Sequence, residues 1–214
     1  MKIAIIGATG FVGTAVLNEA LHRGHEVVAI ARNTGKITID NKKLTKMDAD
    51  TDEVADLTEV LKGNDAVVNA FNAGWTNPNL YNDFIKGSEN IQKAVKASGV
   101  KRLLIVGGAG SLEIAPGKQL VDSPDFPEQW KSGATAARDY LNTIKKENDL
   151  DWTFLSPAIN LHPGKRTAKF RLGTDQPVFD ADGKCEISVE DMAVAIIDEL
   201  ESNKHIKKRF TLGY

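Results

Sequence analysis

The chain is poor in cysteine and carries almost no surplus charge. Its single cysteine, Cys185, has no partner for an internal disulfide, which points to a reducing compartment. Its 27 basic side chains are offset by 29 acidic ones, a net charge of −2, so no global field draws in nucleic acid. No apolar run approaches ~18 residues, which excludes a membrane-spanning helix. His22 and His25 stand without cysteine or carboxylate partners at metal-ligand spacing, so no metal site is expected. The opening Met1-Lys2-Ile3-Ala4-Ile5-Ile6 meets glycine too soon for a signal peptide. A cytoplasmic location is therefore expected. No repeat, low-complexity tract or linker divides the 214 residues, and one domain over 1–214 is expected. With 42% apolar and 26% charged residues, the composition is globular and not disordered.

What is present is alternation. Short β-branched runs at 2–6, 26–31, 44–48, 66–70, 102–106 and 152–156 read as strands. The run 209–212 predicts an extra C-terminal strand. Between them, 11–23, 52–61, 81–97 and 127–148 show helical periodicity, and the first three stop at Gly24, Gly63 and Gly99. Ser188-Val189-Glu190-Asp191 reads as a capping box for a last helix. Such alternation predicts an α/β fold: parallel strands joined by right-handed crossovers in a doubly wound sheet of order 3-2-1-4-5-6. In such a sheet ligands bind beyond the carboxyl ends of the strands. Segments 71–79, 107–126 and 157–186 fall there and are longer than plain connections, so they are expected to wall a pocket. Lys204, Lys207, Lys208 and Arg209 read as a solvated basic face.

The first strand runs directly into Gly7-Ala8-Thr9-Gly10-Phe11-Val12-Gly13, a G-x-x-G-x-x-G spacing. Gly7 permits the tight turn and Gly10 leaves room for a pyrophosphate. Gly13 lets the helix pack close, and the helix N-terminus offers free N–H groups to the phosphates. The motif follows a strand, opens an amphipathic helix and precedes a second strand, which is the context a dinucleotide site requires. A site for NAD(H) usually ends that second strand on a carboxylate. Here it ends Ala31-Arg32-Asn33. Arg32 suits the 2′-phosphate of NADP(H), with Asn33 and Lys36 in reach, and it also suits stacking on adenine. NADP(H) is expected over NAD(H). Asp48, ending the third strand, meets either the adenine edge or a turn.

Taken in order, the glycine loop, Arg32, Met47-Asp48-Ala49, Val68-Asn69-Ala70, Leu104-Ile105-Val106-Gly107-Gly108-Ala109-Gly110-Ser111 and Ser156-Pro157-Ala158 resemble the atypical branch of the short-chain dehydrogenase/reductase superfamily. The resemblance covers essentially the whole chain. It is strongest to the bacterial NAD(P)H-binding group described as NADH-flavin reductases, and more distant to vertebrate biliverdin reductase B/flavin reductase. It implies a Rossmann fold in which Thr9, Phe11 and Val12, then Ala70, Phe71 and Asn72, then Pro157, join the glycines in holding the cofactor. It also implies Ser111 as a catalytic candidate. His162 follows the sixth strand, where it either faces the substrate as a second candidate or stands as an exposed loop histidine. The serine of the vertebrate protein aligns with Gly108 instead of Ser111.

One departure decides the expected chemistry. Typical members place Tyr-x-x-x-Lys at the start of the helix after strand five. This chain reads Pro127-Glu128-Gln129-Trp130-Lys131-Ser132-Gly133-Ala134 there. Tyr140 and Lys145 lie five apart and late in the helix, so Tyr140 is read as a packing or surface residue. Without a protein acid, carbonyl reduction and sugar epimerisation are disfavoured. Hydride transfer to a flavin, quinone or other planar acceptor needs stacking and alignment more than an acid. Trp75, Tyr81, Phe126 and Trp130 are available for stacking or for packing. The expected protein is an NAD(P)H-dependent reductase, monomer or homodimer, whose partner is a small planar molecule such as a flavin, with no nucleic acid or membrane partner. The alternative is an NADP(H)-sensing regulator of the NmrA type.

Overall fold

The computed structural model describes residues 1–214. Its strands are β1 (Lys2–Ile6), β2 (Glu26–Ala31), β3 (Leu44–Asp48), β4 (Ala66–Asn69), β5 (Arg102–Val106), β6 (Glu113–Ala115), β7 (Lys118–Gln119), β8 (Asp151–Ser156), β9 (Asn160–His162), β10 (Arg171–Gly173), β11 (Glu186–Ser188) and β12 (Lys208–Gly213). Its helices are α1 (Phe11–His22), α2 (Val54–Leu61), α3 (Leu80–Ser98), α4 (Glu128–Ile144) and α5 (Val189–Ser202). Eight strands form one sheet in the order β10-β12-β8-β5-β4-β1-β2-β3. All its pairings are parallel except β10 on β12. This is the expected Rossmann order, with β8 as the sixth strand and β12 as the extra one. The antiparallel β10 beyond β12 is an addition that the sequence pattern did not reveal.

The strands read as continuous apolar runs because alternate side chains enter two different cores. On one face Ile3, Ile5, Val27 and Val68 pack against Val16, Leu17 and Ala20 of α1 and Met192 and Ile196 of α5. On the other, Ala4, Ile6, Val28 and Val67 pack against Leu57 of α2, Ile91 of α3 and Leu141 of α4. Each such fully buried Ile or Leu contributes roughly 1.5–3 kcal/mol. The expected helix stops hold: Gly24, Gly63 and Gly99 all take left-handed φ angles of +70 to +84°.

Two expectations need correction. The capping box of α5 is only half made. Ser188 Oγ accepts the Asp191 N–H at 3.1 Å, but the Asp191 carboxylate accepts the N–H groups of Thr167 and Ala168, at 2.7 Å each, and the Tyr214 hydroxyl at 2.9 Å. Arg209 is not part of a solvated face. It is buried, ion-paired to Asp175, and donates to the Ser111 carbonyl at 2.6 Å. Segment 157–186, expected as a pocket wall, also has structure of its own. It contains β9 and β10, and its Asp175 carbonyl accepts the Glu113 N–H at 2.8 Å, so it stitches the β12 edge to the β6–β7 hairpin.

Candidate dinucleotide cleft and its surroundings

A cleft of about 150 Å³ opens at the carboxyl ends of β1, β2 and β4. Its floor is built by the glycine loop. Gly7 takes φ +81°, and its N–H donates to the Ile30 carbonyl at 2.9 Å, which fixes the turn to β2. A Cβ on Gly7 would lie 2.5 Å from the Ala70 carbonyl oxygen, and one on Gly13 would lie 2.1 Å from the Gly7 carbonyl oxygen. Loop, helix and β4 are thus in contact through backbone alone. Gly10 differs. It has ordinary φ, it is exposed, and a Cβ there would meet only the Gly7 oxygen at 3.2 Å. The bare side of Gly10 faces outward above the start of α1. By helix geometry the N–H groups of Phe11, Val12 and Gly13 lack intrahelical acceptors there, and the positive end of the dipole adds to them.

The wall is formed by Arg32 at the end of β2, by Ala49 and Thr51 after β3, and by Ala70, Phe71 and Asn72 after β4. Arg32 is exposed and no carboxylate shares the cleft with it. The turn behind Arg32 is tied in place. Asn33 Oδ1 accepts the Gly35 N–H at 3.0 Å, and Asp48 Oδ1 accepts both the N–H and the hydroxyl of Thr34 at 2.8 and 2.6 Å. Those two bonds hold the Asp48 carboxyl below its ordinary range. Asp48 is therefore the turn residue of its two readings, and Ala49 takes the place beside the cleft. Asn69 Oδ1 accepts the Phe71 N–H at 3.0 Å, and the Phe71 ring packs over Gly87 and against Phe84. Ala49 stood in the sequence only as part of Met47-Asp48-Ala49 and Thr51 escaped notice, because small residues after a strand carry no distinctive signal.

The cleft brings together Gly7, Thr9, Gly10, Arg32, Ala70, Phe71 and Asn72 among the expected residues. It does not bring in Ser111 or His162. Ser111 is 0% exposed, and its hydroxyl lies 3.1 Å from the Gly108 carbonyl and 3.0 Å from Ser156 Oγ, beneath Arg209. Such a hydroxyl is engaged within the fold, outside the cleft that the glycine loop builds. His162 ends β9 and its Nδ1 lies 2.9 Å from the carbonyl of its neighbour Pro163. Pro157 is buried at the end of β8. Tyr140 is fully enclosed between α4 and α3, with its hydroxyl donating to Gln92 Oε1 at 3.3 Å, and burial pushes its pKa up. Tyr81 donates to Asp139 at 2.8 Å. Trp75 and Trp130 remain exposed and meet edge to face, with ring centroids 4.8 Å apart at 90°.

These features define a dinucleotide-binding Rossmann protein. The chain belongs to the NAD(P)H-binding family, whose sequence profile matches residues 7–203. It is 40% identical over 216 aligned residues to YwnB, an uncharacterized protein of Bacillus subtilis, covering 99% of this chain and 98% of the other. Among solved structures it is similar to a Bacteroides thetaiotaomicron protein provisionally described as an epimerase. That match is 50% identical with TM-score 0.93, over 100% of this chain and 96% of the other. It is also similar to a Streptococcus pneumoniae protein provisionally described as an NADH-flavin reductase. That match is 35% identical with TM-score 0.87, over 100% and 99% of the two chains. These neighbours are consistent with the atypical short-chain dehydrogenase/reductase group and with an oxidoreductase role in general. No helix is long and apolar enough to cross a membrane.

Proposed function

We propose that the protein is an NADPH-preferring reductase that passes hydride to a flavin, a quinone or another planar acceptor. The observation that carries this is the burial of Tyr140: α4 offers no phenol to a bound substrate, while the start of that helix carries an exposed indole, Trp130. A nicotinamide coenzyme supplies the hydride when bound. The chain's own residues bind and orient it. The N–H groups of Phe11, Val12 and Gly13 and the helix dipole receive the pyrophosphate. The Arg32 guanidinium, on its tied turn, receives the 2′-phosphate by parallel charge-assisted bonds. Ala70, Phe71, Asn72 and Pro157 flank the nicotinamide half. The acceptor is framed by 71–79 and the start of α4, with 107–126 behind them. Flavins and quinones hold the incoming electrons in their own rings, so no protein acid is needed and solvent supplies the proton. Residues 1–214 act as one cytoplasmic domain, monomer or homodimer, with small molecules as its only partners.

The test is NADPH and NADH oxidation with riboflavin, FMN and menadione, alongside calorimetric binding of both coenzymes. The proposal expects turnover with at least one acceptor and tighter binding of NADPH. Tight NADPH binding with no turnover on any of the three would instead favour a sensing regulator of the NmrA type, which the buried tyrosine also fits.

A further inference from the structure

We propose that Trp75 and Trp130 form the stacking wall for the acceptor, and that Gly133 is the residue that sets it. The inference rests on the reductase reading for the identity of its ligand, an electron-poor planar ring. Both indoles stand at the carboxyl end of the sheet by topology. Trp75 lies in the segment after β4, which begins at the cleft residues Ala70, Phe71 and Asn72. Trp130 lies in the first turn of α4, which starts from the β5 side of the same rim. They are 53% and 42% exposed, large values for indoles, and they hold each other edge to face at 4.8 Å.

Exposed tryptophans that only fill space would be expected to fold onto the nearest apolar surface. Trp75 rests one edge on such a surface and leaves the rest of its ring open. Gly133 sits one helical turn after Trp130, and a Cβ on it would lie 2.6 Å from Trp75 Cζ3 and 3.1 Å from Leu80 Cδ2. The benzo edge of Trp75 therefore rests on bare helix backbone. The pair is fixed before any ligand arrives, which keeps the ordering cost of stacking low. An electron-rich indole face complements an isoalloxazine or naphthoquinone ring, whose π-system is electron-poor.

The third tryptophan makes the test clean. Trp152 is buried, and its Nε1 donates to the Glu147 carbonyl at 3.2 Å, so it reports on the core and not on the rim. Riboflavin and menadione titrations should quench the emission of the wild type to saturation. The double variant Trp75→Phe, Trp130→Phe, which keeps only Trp152, should lose that saturable quenching. Gly133→Ala retains all three indoles and pushes the far ends of the Trp75 and Leu80 side chains without touching backbone, so the fold survives. It should raise the acceptor KM about tenfold, with NADPH affinity within twofold of wild type. Saturable quenching without turnover would defeat the reductase reading and leave the wall standing. Turnover with no saturable quenching, or with quenching unchanged in the double variant, would overturn the wall and leave the reductase reading intact. A Gly133→Ala protein with unaltered acceptor KM would also overturn it.

Discussion

At Arg32, coenzyme choice comes down to one guanidinium on a turn braced by Thr34 and Asp48. Charge-assisted bonds to a 2′-phosphate should favour NADPH over NADH by roughly 1–3 kcal/mol. High salt should shrink that gap, because the group is exposed. Arg32→Ala should erase it, with calorimetric titration of both coenzymes as the check. Equal losses for NADPH and NADH would mean that Arg32 stacks on adenine. Tyr140 provides the opposite expectation. Its hydroxyl is sealed from the rim and makes only one long bond, to Gln92. Tyr140→Phe should leave reductase rates within a few-fold of wild type and cost about 0.5–1.5 kcal/mol of stability by urea unfolding. A rate loss beyond ~100-fold, the scale of a lost general acid, would place catalysis on the wrong face of α4.

At the scale of elements, α3 and α4 are pinned by a carboxylate just past the end of α4. Burial alone would raise the pKa of Glu147. The Asp149 N–H at 2.7 Å, Lys96 at 3.0 Å and Gln92 at 2.8 Å outweigh it and hold the carboxyl at about 2. A carboxyl depressed in the folded state stabilises fully above its unfolded value, near 4.5, and stops doing so as pH falls through about 2. Glu147→Gln should therefore cost on the order of 2 kcal/mol at pH 7, and that deficit should close between about pH 4.5 and pH 2 in urea midpoints. A deficit independent of pH would show that the side chain matters only for packing. Elements of this length were also the legible part of the sequence. Ile3 to Ile6 and Val27 to Ile30 announce buried parallel strands because both faces are apolar, and glycine marks where α1, α2 and α3 end. The three-residue strands β9, β10 and β11 were hidden, since so few residues carry no period and their partners are distant. The burial of Ser111 was hidden for the same reason: the arginine that covers it lies 98 residues away. Trp75 and Trp130 could each be named, but not their contact.

Across the whole molecule, one buried ion pair joins the start of β5 to the end of α5. Arg102 donates to Glu199 Oε1, to Thr153 and to Asn203, each at 2.8 Å, while Glu199 Oε2 lies 2.7 Å from His205 Nδ1. Replacing Arg102 with Met leaves the Glu199 carboxylate buried and short of a cation. The expected cost is about 3–5 kcal/mol by chemical denaturation. Adding Glu199→Leu should return part of it, and a double variant no better than the single one would show that the pair is not the seat of the loss. At the other end of the sheet, the contact of Gly13 with the Gly7 carbonyl has a kinetic consequence. A loop already closed on its helix has no slow rearrangement to make when an anion arrives. Stopped-flow mixing with NADPH should then show one concentration-dependent phase, at ~10⁵–10⁷ M⁻¹s⁻¹, with no plateau from a preceding isomerisation. The tightness of that backbone turn would thus set how quickly the coenzyme is captured.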